Sequence, residues 1–421
     1  MNRISIQGGV PLQGEVEISG SKNSTLPILA ATLLTDEPCI IHHVPTTLSD
    51  IRFMLELLQH LGATVEQCGP GTVKIQAKQI QGVAPYDLVR KMRASVCLLG
   101  PLLARLKQCK VSVPGGCVIG QRPIDLHIKG LNAIGANLNL QEGYVVSNAS
   151  ELYGATINMG GRHGSTVLGT DNVMMAATLA RGVTVIEQAA TEPEVVDLAN
   201  FLNSMGASIT GQGTSTITVK GVERLHGTEY TVIPDRIEAG TFLIAGAITH
   251  GDLLVKNVVT DHLHAVLYLL ESIGFLIEDQ KNAVHIRTNG STSARSFTTS
   301  PYPGFPTDMQ AQMMALMTIT PGVSVITERV FPDRFMHVAE IQRMGAQIEL
   351  EGATAVVTGV ERLSGAPVMA SDLRASAALV LAGLVANGTT EIRRVYHIDR
   401  GYEKIDEKLR KLGARVERSE E

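Results

Sequence analysis

The sequence predicts an α/β protein of two domains, each of three β-α-β-α-β-β repeats with helices enclosed by sheets. Three observations predict it. A Gly-Ala stop, helix before and strand after, recurs at Leu61-Gly62-Ala63, Ile134-Gly135-Ala136, Met205-Gly206-Ala207, Met344-Gly345-Ala346 and Leu412-Gly413-Ala414, with a weaker copy at Ile273-Gly274-Phe275. The spacing is about 70 residues, so six units fill the chain. Each unit opens on an Ala-rich helix without a polar face, as in Ala375-Ser376-Ala377-Ala378-Leu379-Val380-Leu381-Ala382, and such a helix must be buried.

Each element of the unit follows from its own pattern. The apolar first helix is expected over 24–34 in unit one and 375–385 in unit six. A glycine such as Gly182, Gly251, Gly322 or Gly388 ends it or turns the chain. A β-branched strand follows, as at 183–186 and 323–326. The second helix, over 193–205 or 335–344, shows the 3.6-residue apolar spacing of a half-buried helix. Its Gly-Ala stop supplies the C-cap. Two short strands close the unit, as at 347–350 and 355–358.

Composition narrows the function. The chain has 421 residues, is 44% hydrophobic and 18% charged, and carries a net charge of −5. That excludes a disordered chain and a protein held to nucleic acid by bulk charge. No apolar run reaches the roughly 18 residues of a membrane span. Met1-Asn2-Arg3-Ile4-Ser5-Ile6 shows no signal-peptide pattern, so a cytoplasmic protein is expected. Five cysteines without CxxC spacing argue against a disulfide framework and a structural zinc site. Cys39 and Cys97 read as buried hydrophobes, and Cys68 and Cys109 lie in turn-like stretches.

The repeat allows residues to be compared by position. The first helix begins at Ser21-Lys22-Asn23, Met92-Arg93-Ala94-Ser95, Thr170-Asp171-Asn172, Asp235-Arg236, Thr307-Asp308 and Asp372-Leu373-Arg374. Where the second helix begins stand Arg122, Arg334 and Arg400. Lys22, Arg93, Arg122, Arg334, Arg374 and Arg400 thus sit at helix starts, where free N–H groups already favour anions. Arg forks at such ends suit phosphate and carboxylate. Singly, each reads equally as a capped or solvated charge.

Two further groups stand against this basic set. Cys117 lies in Gly115-Gly116-Cys117-Val118-Ile119-Gly120, a glycine-flanked loop near Arg122. It reads as a reactive thiol, an acid or a nucleophile, or else as a small buried hydrophobe. Asp308 reads either as a helix N-cap or as a general base facing cations. The stripe Met309, Met313, Met314, Met317 reads as core, and His127 is the histidine placed near the cations. His42-His43 is a poor metal pair on a strand, since adjacent side chains point to opposite faces.

At this point the chain resembles the UDP-N-acetylglucosamine 1-carboxyvinyltransferases, the enolpyruvyl transferases of early peptidoglycan synthesis. The resemblance runs end to end. It is carried by Gly20-Ser21-Lys22-Asn23-Ser24-Thr25-Leu26-Pro27, Arg93-Ala94-Ser95, Gly115-Gly116-Cys117-Val118-Ile119-Gly120-Gln121-Arg122-Pro123-Ile124-Asp125-Leu126-His127, Pro306-Thr307-Asp308-Met309-Gln310, Phe335-Met336-His337-Val338, Asp372-Leu373-Arg374-Ala375 and His397-Ile398-Asp399-Arg400-Gly401-Tyr402. It implies two inside-out α/β barrel domains, 22–231 and the discontinuous 1–21 plus 232–421, with the active site in a cleft between them.

The resemblance also implies the chemistry. Phosphoenolpyruvate would give its enolpyruvyl group to the 3′-hydroxyl of UDP-N-acetylglucosamine and release phosphate, with no cofactor. Cys117 would protonate the vinyl carbon and form a covalent adduct, and it would be the target of fosfomycin. Asp308 would take the hydroxyl proton. Lys22, Arg122 and Arg400 would hold phosphate and carboxylate, Arg93 and Arg374 would complete that anion shell, and Arg334 and Asp372 would also bind substrate. Asn23, Arg122, Pro123, Ile124, Asp125, Leu126, Thr166, Val167, Gly169, Asp308 and Val330 would bind the sugar nucleotide. The chain departs from many members at Gly164, where they carry Lys. Asp308→Asn is expected to remove turnover with near-normal folding. The competing readings are a shikimate-3-phosphate enolpyruvyl transferase of the same fold and a non-catalytic phosphate-binding scaffold.

Overall fold

Side-chain periodicity decides each sheet. In the fifth repeat, Val323–Thr327 alternates exposed Val323 and Val325 with buried Ser324 and Ile326. That is the two-residue period of a strand with one solvated face. It pairs antiparallel with Thr354–Thr358, which pairs with Gln347–Glu351, and parallel with Phe297–Thr298. The computed structural model describes residues 2–113, 123–162 and 164–420. Among these residues the same four-stranded plan, two antiparallel pairs and one parallel, appears in six sheets.

The sixth sheet draws a strand from the other end of the chain. Asn2–Gln7 lies between Thr389–Arg393 and Arg415–Glu420, with Ile4 opposite Ile392 and Ile6 opposite Val416. Ile4 and Ile6 are fully buried by this pairing, each adding about 1.5–3 kcal/mol of apolar burial.

The first helix of each repeat is buried on nearly all sides. These helices are Lys22–Ala31, Leu99–Leu106, Val167–Ala177, Arg236–Ile248, Gln310–Met317 and Leu373–Val385. Lacking a polar face, they have no stable place except inside. The second helices are amphipathic. Ser49–His60 buries Ile51, Met54, Leu57 and Leu58 and exposes Gln59 and His60. Gly62 follows that helix at φ +102°, where an added Cβ would stand 2.4 Å from the Gln79 carbonyl oxygen. The Gly-Ala stop is therefore both a left-handed cap and a close backbone approach.

The described chain divides into two units, residues up to Ser19 with Pro234 onward, and Gly20 to Ile233. Each unit has its own apolar core. One holds Ile4, Ile244, Met314 and Leu381, and the other Leu29, Leu102 and Met174. The Met stripe 309, 313, 314 and 317 lies in the first core. No helix among the described residues is long and apolar enough to cross a membrane.

Several boundaries differ from the sequence reading. The third repeat's first helix starts at Val167, not at Thr170, because the Thr166 hydroxyl accepts a hydrogen bond from Gly169 N at 3.2 Å and caps the turn. The helix expected over 335–344 shortens to Val338–Arg343, since residues 331–335 are taken up by tight turns. Cys109 is not in a turn but on the strand Gln108–Ser112, buried beside Val111.

Candidate active site

In the unit that holds the C-terminus, a carboxylate is gripped by two buried guanidiniums. Asp308 lies in the short 3-10 turn Thr307–Met309, just before the buried helix Gln310–Met317. Pro306, not Asp308, occupies the cap position, so the N-cap reading of Asp308 does not hold. Arg334 Nη1 donates to Asp308 Oδ1 at 2.8 Å. Arg374 donates to Oδ2 through Nε at 3.2 Å and Nη2 at 3.0 Å. The two Arg side chains are 8% and 1% exposed, and that of Asp308 is 25% exposed. The carboxylate therefore bridges a buried cationic floor and solvent.

Arg374 is fixed from several sides. Asp372 caps the helix Leu373–Val385 by accepting from Arg374 N at 2.9 Å and Ala375 N at 3.1 Å, which sets the direction of the first turn. The guanidinium lies over the Tyr402 ring, 5.3 Å from its centroid. The Tyr402 hydroxyl meets Thr241 Oγ1 at 3.0 Å and accepts from Gln312 Nε2 at 3.1 Å. Gln312 Nε2 also donates to the Asp308 backbone carbonyl at 2.8 Å. Burial works against the charge on Arg374, but the Tyr402 oxygen and the Asp308 carboxylate outweigh it and hold the guanidinium firmly protonated. Its Nη1 is buried without a hydrogen-bond partner among the described residues. Leaving a buried N–H of this kind unmade is costly, and a water or a ligand oxygen would satisfy it.

The other unit carries the second cluster. Ser21 caps the helix Lys22–Ala31 by accepting from Ser24 N at 3.3 Å. Lys22, 8% exposed, pairs with Asp50 Oδ2 at 2.9 Å, and Asp50 is itself buried at the start of Ser49–His60. Asn23 is the next residue of the same helix turn and is half-buried. Asp197 ties that turn down. It accepts from the Ser24 hydroxyl, from the Tyr230 hydroxyl at 2.6 Å and from Ile233 N at 3.4 Å.

Arg93 begins the 3-10 helix Arg93–Leu98, and its charge is felt at His127. Burial first, and Arg93 second, push His127 down to about 4. The side chain of Asn172 fixes the tautomer. Its oxygen accepts from Gly100 N at 2.7 Å, so its NH2 faces Val96 O and His127 Nδ1, each at 2.9 Å. Nδ1 is then an acceptor and the proton sits on Nε2.

The remaining sequence-predicted residues fall as follows. Pro123 and Asp125 are exposed at the start of the helix Asp125–Ala133, with Ile124 buried and Leu126 half-buried. Thr166, Val167 and Gly169 form the first turn of Val167–Ala177. That helix packs on Asp125–Ala133 at Gly130, where an added Cβ would stand 2.5 Å from Val173. Asp308, Arg334 and Arg374 are brought together directly. Arg400 is half-buried at the end of the 3-10 helix Val395–Arg400, and both it and Asp372 act on His397. Val330 donates its N–H to Glu328 at 2.8 Å. Cys117 and Arg122 lie outside the described residues. Asp50, Glu328, Tyr402 and Asn172 have no role in the sequence reading. Tyr402, within His397-Ile398-Asp399-Arg400-Gly401-Tyr402, and Asn172, within Thr170-Asp171-Asn172, lie in stretches that the reading singles out without assigning either a role. Among the described residues no group of three or more His, Cys, Asp and Glu could hold a metal ion.

Six four-stranded sheets around buried helices are the architecture of an enolpyruvyl transferase. The solved enolpyruvyl transferase NikO from Streptomyces tendae superposes with a TM-score of 0.90 at 26% identity, over 99% of each chain. An EPSP synthase from Acinetobacter baumannii shares the fold, with a TM-score of 0.74 at 17% identity over the whole of both chains. The family profile described as EPSP synthase (3-phosphoshikimate 1-carboxyvinyltransferase) matches residues 6–409. Within that group, a protein of Methylacidiphilum infernorum is 59% identical over 99% of each chain, and one of Akkermansia muciniphila is 55% identical over 99% of each. Both are named UDP-N-acetylglucosamine 1-carboxyvinyltransferase, and the chain belongs to that family of enolpyruvyl transferases.

Proposed function

We propose that the chain moves the enolpyruvyl group of phosphoenolpyruvate to the 3′-hydroxyl of UDP-N-acetylglucosamine, in the cytoplasm, as the first committed step of peptidoglycan synthesis. The observation that carries this is the Asp308 carboxylate held between Arg334 and Arg374, with a buried Arg374 N–H left for a ligand oxygen. The named relatives at 52–59% identity supply the substrates.

In this reading Asp308 takes the 3′-hydroxyl proton as the oxygen attacks C2 of phosphoenolpyruvate. Cys117 gives a proton to the methylene carbon, so the C2–C3 double bond becomes a methyl group in a tetrahedral phospho-adduct. Loss of a methyl proton and cleavage of the C2–O bond to phosphate restore the double bond. Lys22, Arg122 and Arg400 neutralise the phosphate throughout, Arg93 and Arg374 complete that shell, and Arg334 and Asp372 contribute to substrate binding. Asn23, Pro123, Ile124, Asp125, Leu126, Thr166, Val167, Gly169 and Val330 hold the sugar nucleotide. Asp372 acts there through the helix turn it caps, and Thr166 likewise.

Phosphate release from phosphoenolpyruvate tests this. Release that requires UDP-N-acetylglucosamine is expected. Release that requires shikimate-3-phosphate, or none with either acceptor, overturns it.

A further inference from the structure

Glu328 is a fully buried carboxylate that the chemistry above does not use. Four hydrogen bonds converge on it. Oε1 accepts from the Thr299 hydroxyl at 2.6 Å, Val330 N at 2.8 Å and Phe331 N at 3.0 Å. Oε2 accepts from the Thr307 hydroxyl at 2.9 Å. Thr299 Oγ1 in turn accepts from Arg329 N at 3.0 Å, so three successive residues of the 329–331 loop are tied to one centre.

The direction of the Thr307 bond matters. Thr307 donates its hydroxyl proton to Glu328 Oε2, so the oxygen's lone pairs point away from Glu328. Arg334 Nη1 donates one hydrogen to that oxygen at 3.1 Å and the other to Asp308 Oδ1 at 2.8 Å. Glu328 thus sets the Thr307 hydroxyl, the hydroxyl sets the Arg334 fork, and the fork sets the Asp308 carboxylate. We infer that Glu328 is a positioning residue for Asp308, acting through Thr307 and Arg334 while pinning the loop that carries Val330. This rests on the proposed role of Asp308 as the base.

Two substitutions separate the link from general packing. Gln at 328 keeps the shape and one oxygen. The oxygen is claimed by the three donors on the Oε1 side, and the NH2 then faces Thr307, which loses the acceptor for its proton. Thr307→Val removes the hydroxyl and leaves Glu328 intact. Misplacing a reacting group by a fraction of an ångström to 1 Å lowers turnover by up to about 10²-fold. Glu328→Gln and Thr307→Val are therefore each expected to lower kcat for phosphate release by about 10- to 100-fold. The double variant should be no worse than either single one, because both cut the same chain. Thr307→Ser should recover most of what Thr307→Val loses, a rescue that packing volume alone would not produce.

Either single variant keeping kcat within about twofold, or losses that multiply in the double variant, overturns the positioning role while leaving the function intact. If Glu328→Gln does not fold, the Thr307→Val and Thr307→Ser pair decides alone. No turnover by the unaltered chain overturns the proposed function, and this inference with it.

Discussion

Replacing Asp308 by Asn tests the two-guanidinium grip and the base together. Asn keeps the volume but offers one oxygen and one NH2 in place of two oxygens. Whichever way the amide turns, one of Arg334 and Arg374 meets an N–H where it now meets an oxygen. Both guanidiniums are buried, at 8% and 1% exposure. Removing the partner of a fully buried charge costs roughly 3–5 kcal/mol. Asp308 is itself a quarter exposed and Arg374 keeps Tyr402, so screening brings the expected loss to about 2 kcal/mol. For a unit of this size that lowers Tm by about 4–8 °C. Loss of the base should lower kcat by about 10²- to 10⁴-fold. The near-normal folding expected from the sequence should thus come with a measurable destabilisation. Scanning calorimetry beside the phosphate-release assay checks both. Unchanged turnover would refute the base, and lost turnover at an unchanged Tm would refute the buried grip.

Fosfomycin is expected to alkylate Cys117 and to spare Cys39, Cys97 and Cys109. Burial pushes the Cys39 thiol up to about 11, Cys109 up to about 12 and Cys97 well above its usual value, so none forms a thiolate near neutral pH; a peptide-mass label on any of the three refutes this. Asp171 is buried with Oδ1 unpartnered among the described residues, and burial, then Glu192 and Glu194, raise its carboxyl far above the unfolded value of about 3.9. Its contribution is full below that value and is lost as pH rises toward the folded one. Asp171→Asn should therefore flatten the decline in urea midpoint as pH rises above about 4, and an unchanged slope would count against it. His127 and His337 are both pushed down to about 4, first by burial. Their neutral rings stabilise the fold above the unfolded pKa of about 6.5, and that contribution is lost as pH falls through 4. Imidazole nitrogen shifts at about pH 5.5 should show both rings neutral, and a protonated ring at either site would contradict the burial argument.

The repeat was legible because it rests on patterns that survive averaging over about 70 residues. An apolar helix, a glycine stop and a β-branched strand each impose their own period. The site was legible only in part, because its partners come from segments with no period. Asp308 stood out by position, but Arg334 read as a helix start when it lies on a turn before Val338–Arg343. Glu328 follows a strand and Asp50 opens an amphipathic helix, and neither place marks a buried carboxylate held by hydroxyls and loop N–H groups in the one case and by Lys22 in the other. The sequence reading starts the third repeat's first helix at Thr170, three residues after its observed start at Val167. The Thr166 cap keeps Gly169 inside the helix, where a Cβ would stand 2.4 Å from the Thr166 methyl.

Equivalent positions in the repeat show how a structural residue becomes a chemical one. In the fourth repeat Asp235 accepts from Ile237 N at 2.8 Å and Glu238 N at 3.0 Å, an ordinary cap. In the sixth, Asp372 does the same for Arg374 N and Ala375 N. In the fifth, Pro306 stands at the cap and places the aspartate within the first turn. There the Asp308 carboxylate takes two guanidiniums. A helix start that elsewhere holds a carboxylate against its own backbone thus presents one to arginines from two other segments. The change is a small shift of register, which lets a shared fold keep its core while one repeat gains the arginine-held carboxylate proposed as the base.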